Sequence, residues 1–166
     1  MLPLKAKSAD DFQTPPSALE PLFSFLPRNW VIWEPACGNL NLVKAFDLAG
    51  YKTISTDIKK GQDFRLEERE CDCIITNPPF SLKEEFLARC YELKKPFALL
   101  MPLTALEGQK RQEMYRKHGI EIIIMPKRIN FETPNKVTKS SAWFATAWFT
   151  NGLNIGKQLT FWEEPD

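Results

Sequence analysis

Asn77-Pro78-Pro79-Phe80 is the stretch whose residue types carry chemistry most directly. It follows the short apolar run Cys73-Ile74-Ile75-Thr76 and precedes a helical pattern that begins at Ser81-Leu82. Two successive prolines hold φ near about −65° and remove two backbone donors, so the chain leaves the strand in a rigid extended turn. Asn77 then offers a side-chain carbonyl, Pro78 a backbone carbonyl outside any ladder, and Phe80 an aromatic face. Two acceptors and a ring suit an exocyclic amino group on a nucleobase, with one acceptor per amino hydrogen and a face on which the base stacks. A bare Pro-Pro-Phe more often only ends a strand above a core phenylalanine. The preceding Asn and the strand-then-helix placement favour chemistry.

The elements that must position this turn lie upstream. Trp30-Val31-Ile32-Trp33 reads as a buried parallel strand and runs into Glu34-Pro35-Ala36-Cys37-Gly38-Asn39-Leu40-Asn41. A helical pattern follows at Leu42, Ala45, Phe46, Leu48 and Ala49. Strand, glycine-bearing turn and helix form the unit that binds an adenosyl group at the carboxyl end of a parallel strand. Gly38 lets the backbone approach a ligand without a Cβ. Lys52-Thr53-Ile54-Ser55-Thr56 reads as a second strand ending at Asp57, 23 residues after Glu34. An acidic side chain there is placed to hold a ribose diol, with Ile58 able to pack on an adenine ring.

At the N-terminus, Thr14 reads as an N-cap with Pro15 in the first helical turn, and Leu19, Leu22, Phe23 and Leu26 recur at helical spacing up to Pro27. Downstream, strands are expected over Cys71 to Thr76, Pro96 to Pro102 and Ile120 to Met125. Helices are expected after Ser81 and from about Leu106 to Lys117. Ala142 to Phe149 is apolar on both alternating faces and reads as an interior strand, with Gln158 to Trp162 pairing beside it or ending the sheet. The beat of strand and helix predicts a single doubly wound α/β domain with one mainly parallel sheet of about seven strands and helices on both faces.

Taken in order, Phe12-Gln13-Thr14-Pro15, Glu34-Pro35-Ala36-Cys37-Gly38, Asp57, Asp63-Phe64 and Asn77-Pro78-Pro79-Phe80 resemble the motifs of amino-group methyltransferases that use S-adenosylmethionine. The likeness is strongest to the small adenine-specific DNA methyltransferases of bacteriophages and prophages, some of which serve restriction-modification. It implies a class I, Rossmann-like domain over residues 1–166 with S-adenosylmethionine as cofactor and no separate target-recognition domain. It implies that Phe12, Gln13, Thr14 and Pro15 form a lid over the methionine end. Glu34, Pro35, Ala36 and Gly38 would border the amino-acid portion, Asp57 the ribose, and Ile58, Asp63 and Phe64 the adenine. The resemblance implies that Asn77 borders both cofactor and base and that Asn77, Pro78, Pro79 and Phe80 carry catalysis. A second ring, Phe131, would clasp a flipped base opposite Phe80, although a hydrophobic anchor under a loop is an equal alternative. Where the family has a second glycine this chain has Leu40, which either packs as the first residue of the helix or crowds the cofactor.

Composition constrains the substrate weakly. The net charge is +1, but Ala105 to Ser140 holds eight Lys or Arg against four Glu. Lys110, Arg111, Arg128, Lys136 and Lys139 are therefore candidates to face nucleic-acid phosphates, with a solvated helix face as the even alternative. One histidine and four scattered cysteines offer neither metal-ligand spacing nor a nucleophilic triad, and Cys71 and Cys73 are expected on one strand face. With 43% hydrophobic residues, no run of eighteen apolar residues and no signal-peptide core at Met1-Leu2-Pro3-Leu4-Lys5, the sequence reads as a soluble cytoplasmic protein. The expected reaction is methyl transfer to the 6-amino group of adenine in DNA, at low sequence selectivity. Alternatives are a base amino group of ribosomal or transfer RNA, or a cofactor-binding subunit that is inactive or depends on a partner. A homo-oligomer or accessory subunit would then supply target recognition.

Overall fold

The computed structural model describes residues 14–38, 40–131 and 144–166. Seven strands form one sheet: β1 (Val31–Glu34), β2 (Lys52–Ser55), β3 (Cys73–Thr76), β4 (Phe97–Pro102), β5 (Glu121–Ile124), β6 (Thr146–Asn151) and β7 (Leu159–Phe161). Their spatial order is β2-β1-β3-β4-β6-β5-β7. The pairs β1–β2, β1–β3, β3–β4 and β5–β7 are parallel, while β6 runs antiparallel to both β4 and β5. Between β1 and β3 the order of strands reverses, since the chain goes from β1 outward to β2 and then returns to the other side. A crevice opens beyond the carboxyl ends of the strands at such a switch point.

Both faces of the sheet are covered because apolar residues occupy successive positions of the central strands. Ile32, Cys73, Ile75, Ala98, Leu100 and Trp148 lie in one buried cluster with residues of α1 (Glu20–Phe23) and α2 (Asn41–Leu48). Trp33, Ile74, Leu99, Met101 and Phe149 lie in the other with residues of α3 (Lys83–Leu93), while Met114 and Tyr115 of α4 (Gln109–His118) pack against it. The alternation follows from the period of two along a strand. Cys71 packs with the second cluster and Cys73 with the first, contrary to the shared face expected for them. The strand begins only at Cys73, and the preceding Asp72 donates its N–H to Val31 O, so regular alternation does not extend to Cys71.

Two local departures from the expected elements have physical causes. The N-terminal helix is divided into a 3₁₀ turn at Pro16–Leu19 and a single α turn at Glu20–Phe23. Pro21 has no N–H to donate back to the preceding turn, so one continuous helix cannot form. The N-cap position falls on Pro15 rather than Thr14, whose hydroxyl is engaged elsewhere. The strand near the C-terminus ends the sheet against β5, one of its two expected places, and does not lie beside β6.

Leu40 takes the N-cap position of α2 with a left-handed backbone, φ +66° and ψ +18°. A side chain there costs about 1–2 kcal/mol relative to the right-handed region. It is absent from the lining of the cleft described below, and what the backbone shows is a strained helix entry. Leu40→Gly is expected to stabilise the fold by about 0.5–1 kcal/mol, because the relieved strain exceeds the extra entropy of an unfolded glycine. Urea midpoints of the two proteins check this.

Candidate functional site

Three strand ends build the site. Glu34 closes β1, Asp57 follows β2 by two residues, and Asn77 follows β3 directly, so the parallel register delivers all three to one edge of the sheet. Between them lies a cavity of about 220 Å³. That is on the order of fifteen times the room one water needs, which suits a nucleoside-sized group better than an ion.

Asp57 ties two loops together. Its Oδ2 accepts the Gly38 N–H at 2.9 Å, and its Oδ1 accepts the Lys59 N–H at 2.9 Å. The Asp57 carbonyl also accepts from the amides of Lys60 and Gln62. Each carboxylate oxygen has a second lone-pair site, so the brace is compatible with accepting further hydroxyl donors. The glycine turn is pinned again where the Cys37 N–H donates to Thr56 O at 3.1 Å and Trp33 Nε1 donates to Thr56 Oγ1 at 2.9 Å.

Glu34 is only 2% exposed, and its Oε1 accepts the Ala36 N–H at 2.9 Å. Burial pushes its carboxyl from 4.5 up to about 8; the neighbouring Thr76 hydroxyl and the Ala36 N–H oppose the rise, and the Asp57 charge adds to it. The Thr76 Oγ1 stops short of full hydrogen-bond geometry, so its opposition is weak beside the burial. Between these two pH values the folded chain keeps a proton that the unfolded chain has released. The stability held by Glu34 is therefore complete below about pH 4.5 and is lost as pH rises to about 8. Glu34→Gln, which keeps the shape and removes the titration, is expected to flatten that decline. The wild-type protein should lose on the order of 10 °C of Tm across the window relative to the variant. Paired melting curves at the two ends of the window measure it.

Asn77 is held by a residue 63 positions away. Its Nδ2 donates to Thr14 Oγ1 at 3.0 Å, and its Oδ1 is buried with no hydrogen-bond partner among the described residues. Both residues line the cavity. Of the rest of the motif, Pro79 lines the cavity, and its carbonyl accepts the Leu82 N–H at 2.8 Å. Phe80, half-buried, meets Phe144 edge-on at 4.9 Å, and Phe144 in turn lies 6.2 Å from Phe131. Phe131 is 3% exposed, so Phe144 is the ring between it and the motif. Phe144 was absent from the expected site because its apolar neighbours read as interior strand.

No protein-family model matches the sequence, and no curated protein matches it. Solved structures do. A Pyrococcus horikoshii protein provisionally assigned as an RNA methyltransferase superposes with a TM-score of 0.58 at 16% identity, over 81% of this chain and 79% of that one. The modification subunit of a provisionally assigned type I restriction enzyme from Vibrio vulnificus YJ016 superposes at 0.53 and 15% identity, over 87% of this chain and 45% of that one. This chain spans less than half of the Vibrio subunit. The fold is that of the class I methyltransferases.

Within this class I methyltransferase fold the remaining expected residues divide into those on the cavity wall and those away from it. Pro35, Ala36, Gly38, Ile58, Asp63 and Phe64 are on the wall. Ile58 is 49% exposed, an apolar side chain held at the cavity, whereas Phe64 is buried against Trp33 at 5.0 Å and Phe86 at 4.8 Å. Asp63 is paired with Arg65, which donates to Oδ1 from Nε at 3.0 Å and to Oδ2 from its guanidinium at 2.7 Å. Those hydrogen bonds hold its carboxyl below the ordinary value. Cys37, which stands within the glycine-bearing motif, also lines the cavity, as do Asn41, Leu42, Lys59, Leu82 and Phe86, which were missed because their types carry no signal outside the fold.

The basic candidates differ in their surroundings. Arg111 donates from Nε to Ala105 O and Glu107 O, from its guanidinium again to Glu107 O, and pairs with Glu84 at 3.1 Å. It ties the start of α4 to α3, which corrects its expected place facing phosphates. Lys110, on α4, and Arg128, in the segment after β5, are exposed. Phe12, Gln13, Lys136 and Lys139 lie outside the described residues. Among the described residues no helix is long and apolar enough to cross a membrane.

Proposed function

We propose that the protein transfers a methyl group from S-adenosylmethionine to the exocyclic 6-amino group of adenine in DNA, with low sequence selectivity. The observation that carries this is the buried, unpartnered Asn77 Oδ1 on the cavity wall. An acceptor left without a partner at that depth costs about 1–3 kcal/mol, and a bound amino group removes the cost. The cavity residues fit the cofactor: a carboxylate brace at the end of β2, a glycine at φ +47° in the turn after β1, and the apolar Ile58 on the wall. Bound there, S-adenosylmethionine supplies an electrophilic methyl on sulfur.

The chain's own residues supply positioning. A stacked base cannot reach the cavity, so the target adenine is flipped out or single-stranded, with Phe80 offering its face. Asn77 Oδ1 and the Pro78 carbonyl accept the two amino hydrogens, which turns the nitrogen lone pair toward the donor. The Pro79 carbonyl is engaged by Leu82, so the second acceptor falls to Pro78. No tuned general base is required, because the amine becomes acidic only as the new bond forms; preorganised acceptors carry the rate. RNA is the second substrate reading, favoured by the match in size to the Pyrococcus protein.

Incubation with labelled S-adenosylmethionine and either unmethylated DNA or total RNA separates the two. Label in DNA is expected. Label in RNA alone replaces the polymer and keeps the chemistry, whereas no label despite measurable cofactor binding overturns the catalytic reading.

A further inference from the structure

An asparagine amide is nearly symmetric in shape but not in chemistry: one end accepts two hydrogen bonds and the other donates two. A site that presents the acceptor end to its substrate must hold the side chain by the other end, and a partner there fixes its rotamer. Asn77 has that partner in Thr14 Oγ1, 3.0 Å from Nδ2. Thr14 is itself buried, and it comes from a segment 63 residues upstream.

That segment is anchored independently of the cavity. Trp148 Nε1 in β6 donates to Ala18 O at 2.7 Å, and the Ala18 N–H donates to Pro15 O at 3.1 Å. Leu19 and Leu22 are fully buried beneath it. Thr14 is thereby held at the end of a fixed turn, and its hydroxyl does not cap the helix that follows.

We propose that Thr14 is a positioning residue that holds the Asn77 side chain in its place on the cavity wall, where Oδ1 meets the acceptor amine, and that the docked N-terminal turn thereby sets catalytic competence. The proposal rests on the methyl-transfer function above and deepens it. Valine matches threonine in shape and cannot accept a hydrogen bond, so Thr14→Val removes the Nδ2 partner at position 14. Serine keeps the acceptor and loses only a methyl.

Two readouts test it. In the free protein, the Asn77 side-chain amide protons should exchange slowly in the wild type and in Thr14→Ser, and fast in Thr14→Val. In transfer assays, Thr14→Val should lower kcat by about 10- to 100-fold, with the Kd for S-adenosylmethionine changed by less than about threefold. Thr14→Ser should recover most of the rate. In an Asn77→Ala background, Thr14→Val should cause no further loss, since two residues acting through one contact are not additive.

Unchanged amide exchange in Thr14→Val overturns the link between the two residues. A rise in cofactor Kd that accounts for the whole loss, or full additivity with Asn77→Ala, overturns the positioning role and makes Thr14 a cofactor contact. Absence of transfer by the wild-type protein itself overturns the proposed function and the catalytic role of Thr14 together, while the exchange measurement still decides the contact.

Discussion

Asn77→Ala is expected to lower methyl transfer by about 10²- to 10³-fold while leaving the fold and cofactor affinity nearly intact. The side chain sits in the cavity wall, outside both core clusters, and among the described residues it hydrogen-bonds to Thr14. Truncation therefore removes an acceptor without opening the core. The loss falls in kcat because the contact matters most as the amino nitrogen becomes tetrahedral and its hydrogens more acidic. Asn77→Asp keeps an acceptor but adds charge near Glu34 and Asp57, so it should recover only part of the rate. Single-turnover transfer with calorimetric cofactor titration separates the two parameters. Loss of cofactor binding equal to the loss of rate would place Asn77 in the cofactor site alone.

Asp57→Ala is expected to weaken cofactor binding by about 100-fold and to destabilise the fold by about 2–4 kcal/mol. Both effects come from one carboxylate. In the free protein it satisfies the amides of Gly38 and Lys59, which join the turn after β1 to the turn after β2. Without it those two donors lose their partners and the cavity wall loosens. Under the proposed function its remaining lone pairs accept the ribose hydroxyls of the bound cofactor. Asp57→Asn retains one acceptor oxygen and should fall between. Urea unfolding and titration with S-adenosylhomocysteine give the two quantities. A stability loss with unchanged affinity would make Asp57 a structural brace only.

The sheet was legible in the sequence wherever a strand is buried on both faces. The apolar runs at Val31, Cys73, Phe97 and Glu121–Ile124 appear as strands within one or two residues of their expected limits. The glycine turn after β1 and the proline turn after β3 were legible because glycine and proline fix backbone geometry wherever they stand. What could not be read depends on distant contacts. Insertion of β6 antiparallel between β4 and β5 arises from side-to-side pairing that no local pattern encodes. Thr14 looked like a helix cap because threonine before proline usually is one, and only the folded chain brings Asn77 to its hydroxyl. Arg111 looked like a phosphate contact for a similar reason. Its charge is visible in the sequence, whereas the three backbone and carboxylate acceptors that surround it are not.

The most direct test of the central claim is the position of the methyl group on the product. DNA treated with the wild-type protein and S-adenosylmethionine would be digested to nucleosides and the modified nucleoside identified by mass and chromatographic comparison with standards. Methyl on the exocyclic 6-nitrogen of adenine, absent from the Asn77→Ala reaction, is the predicted result. Methyl on a ring nitrogen, a ring carbon or a sugar oxygen would contradict it, because an acceptor pair at Asn77 and Pro78 has no purpose for a nucleophile without amino hydrogens.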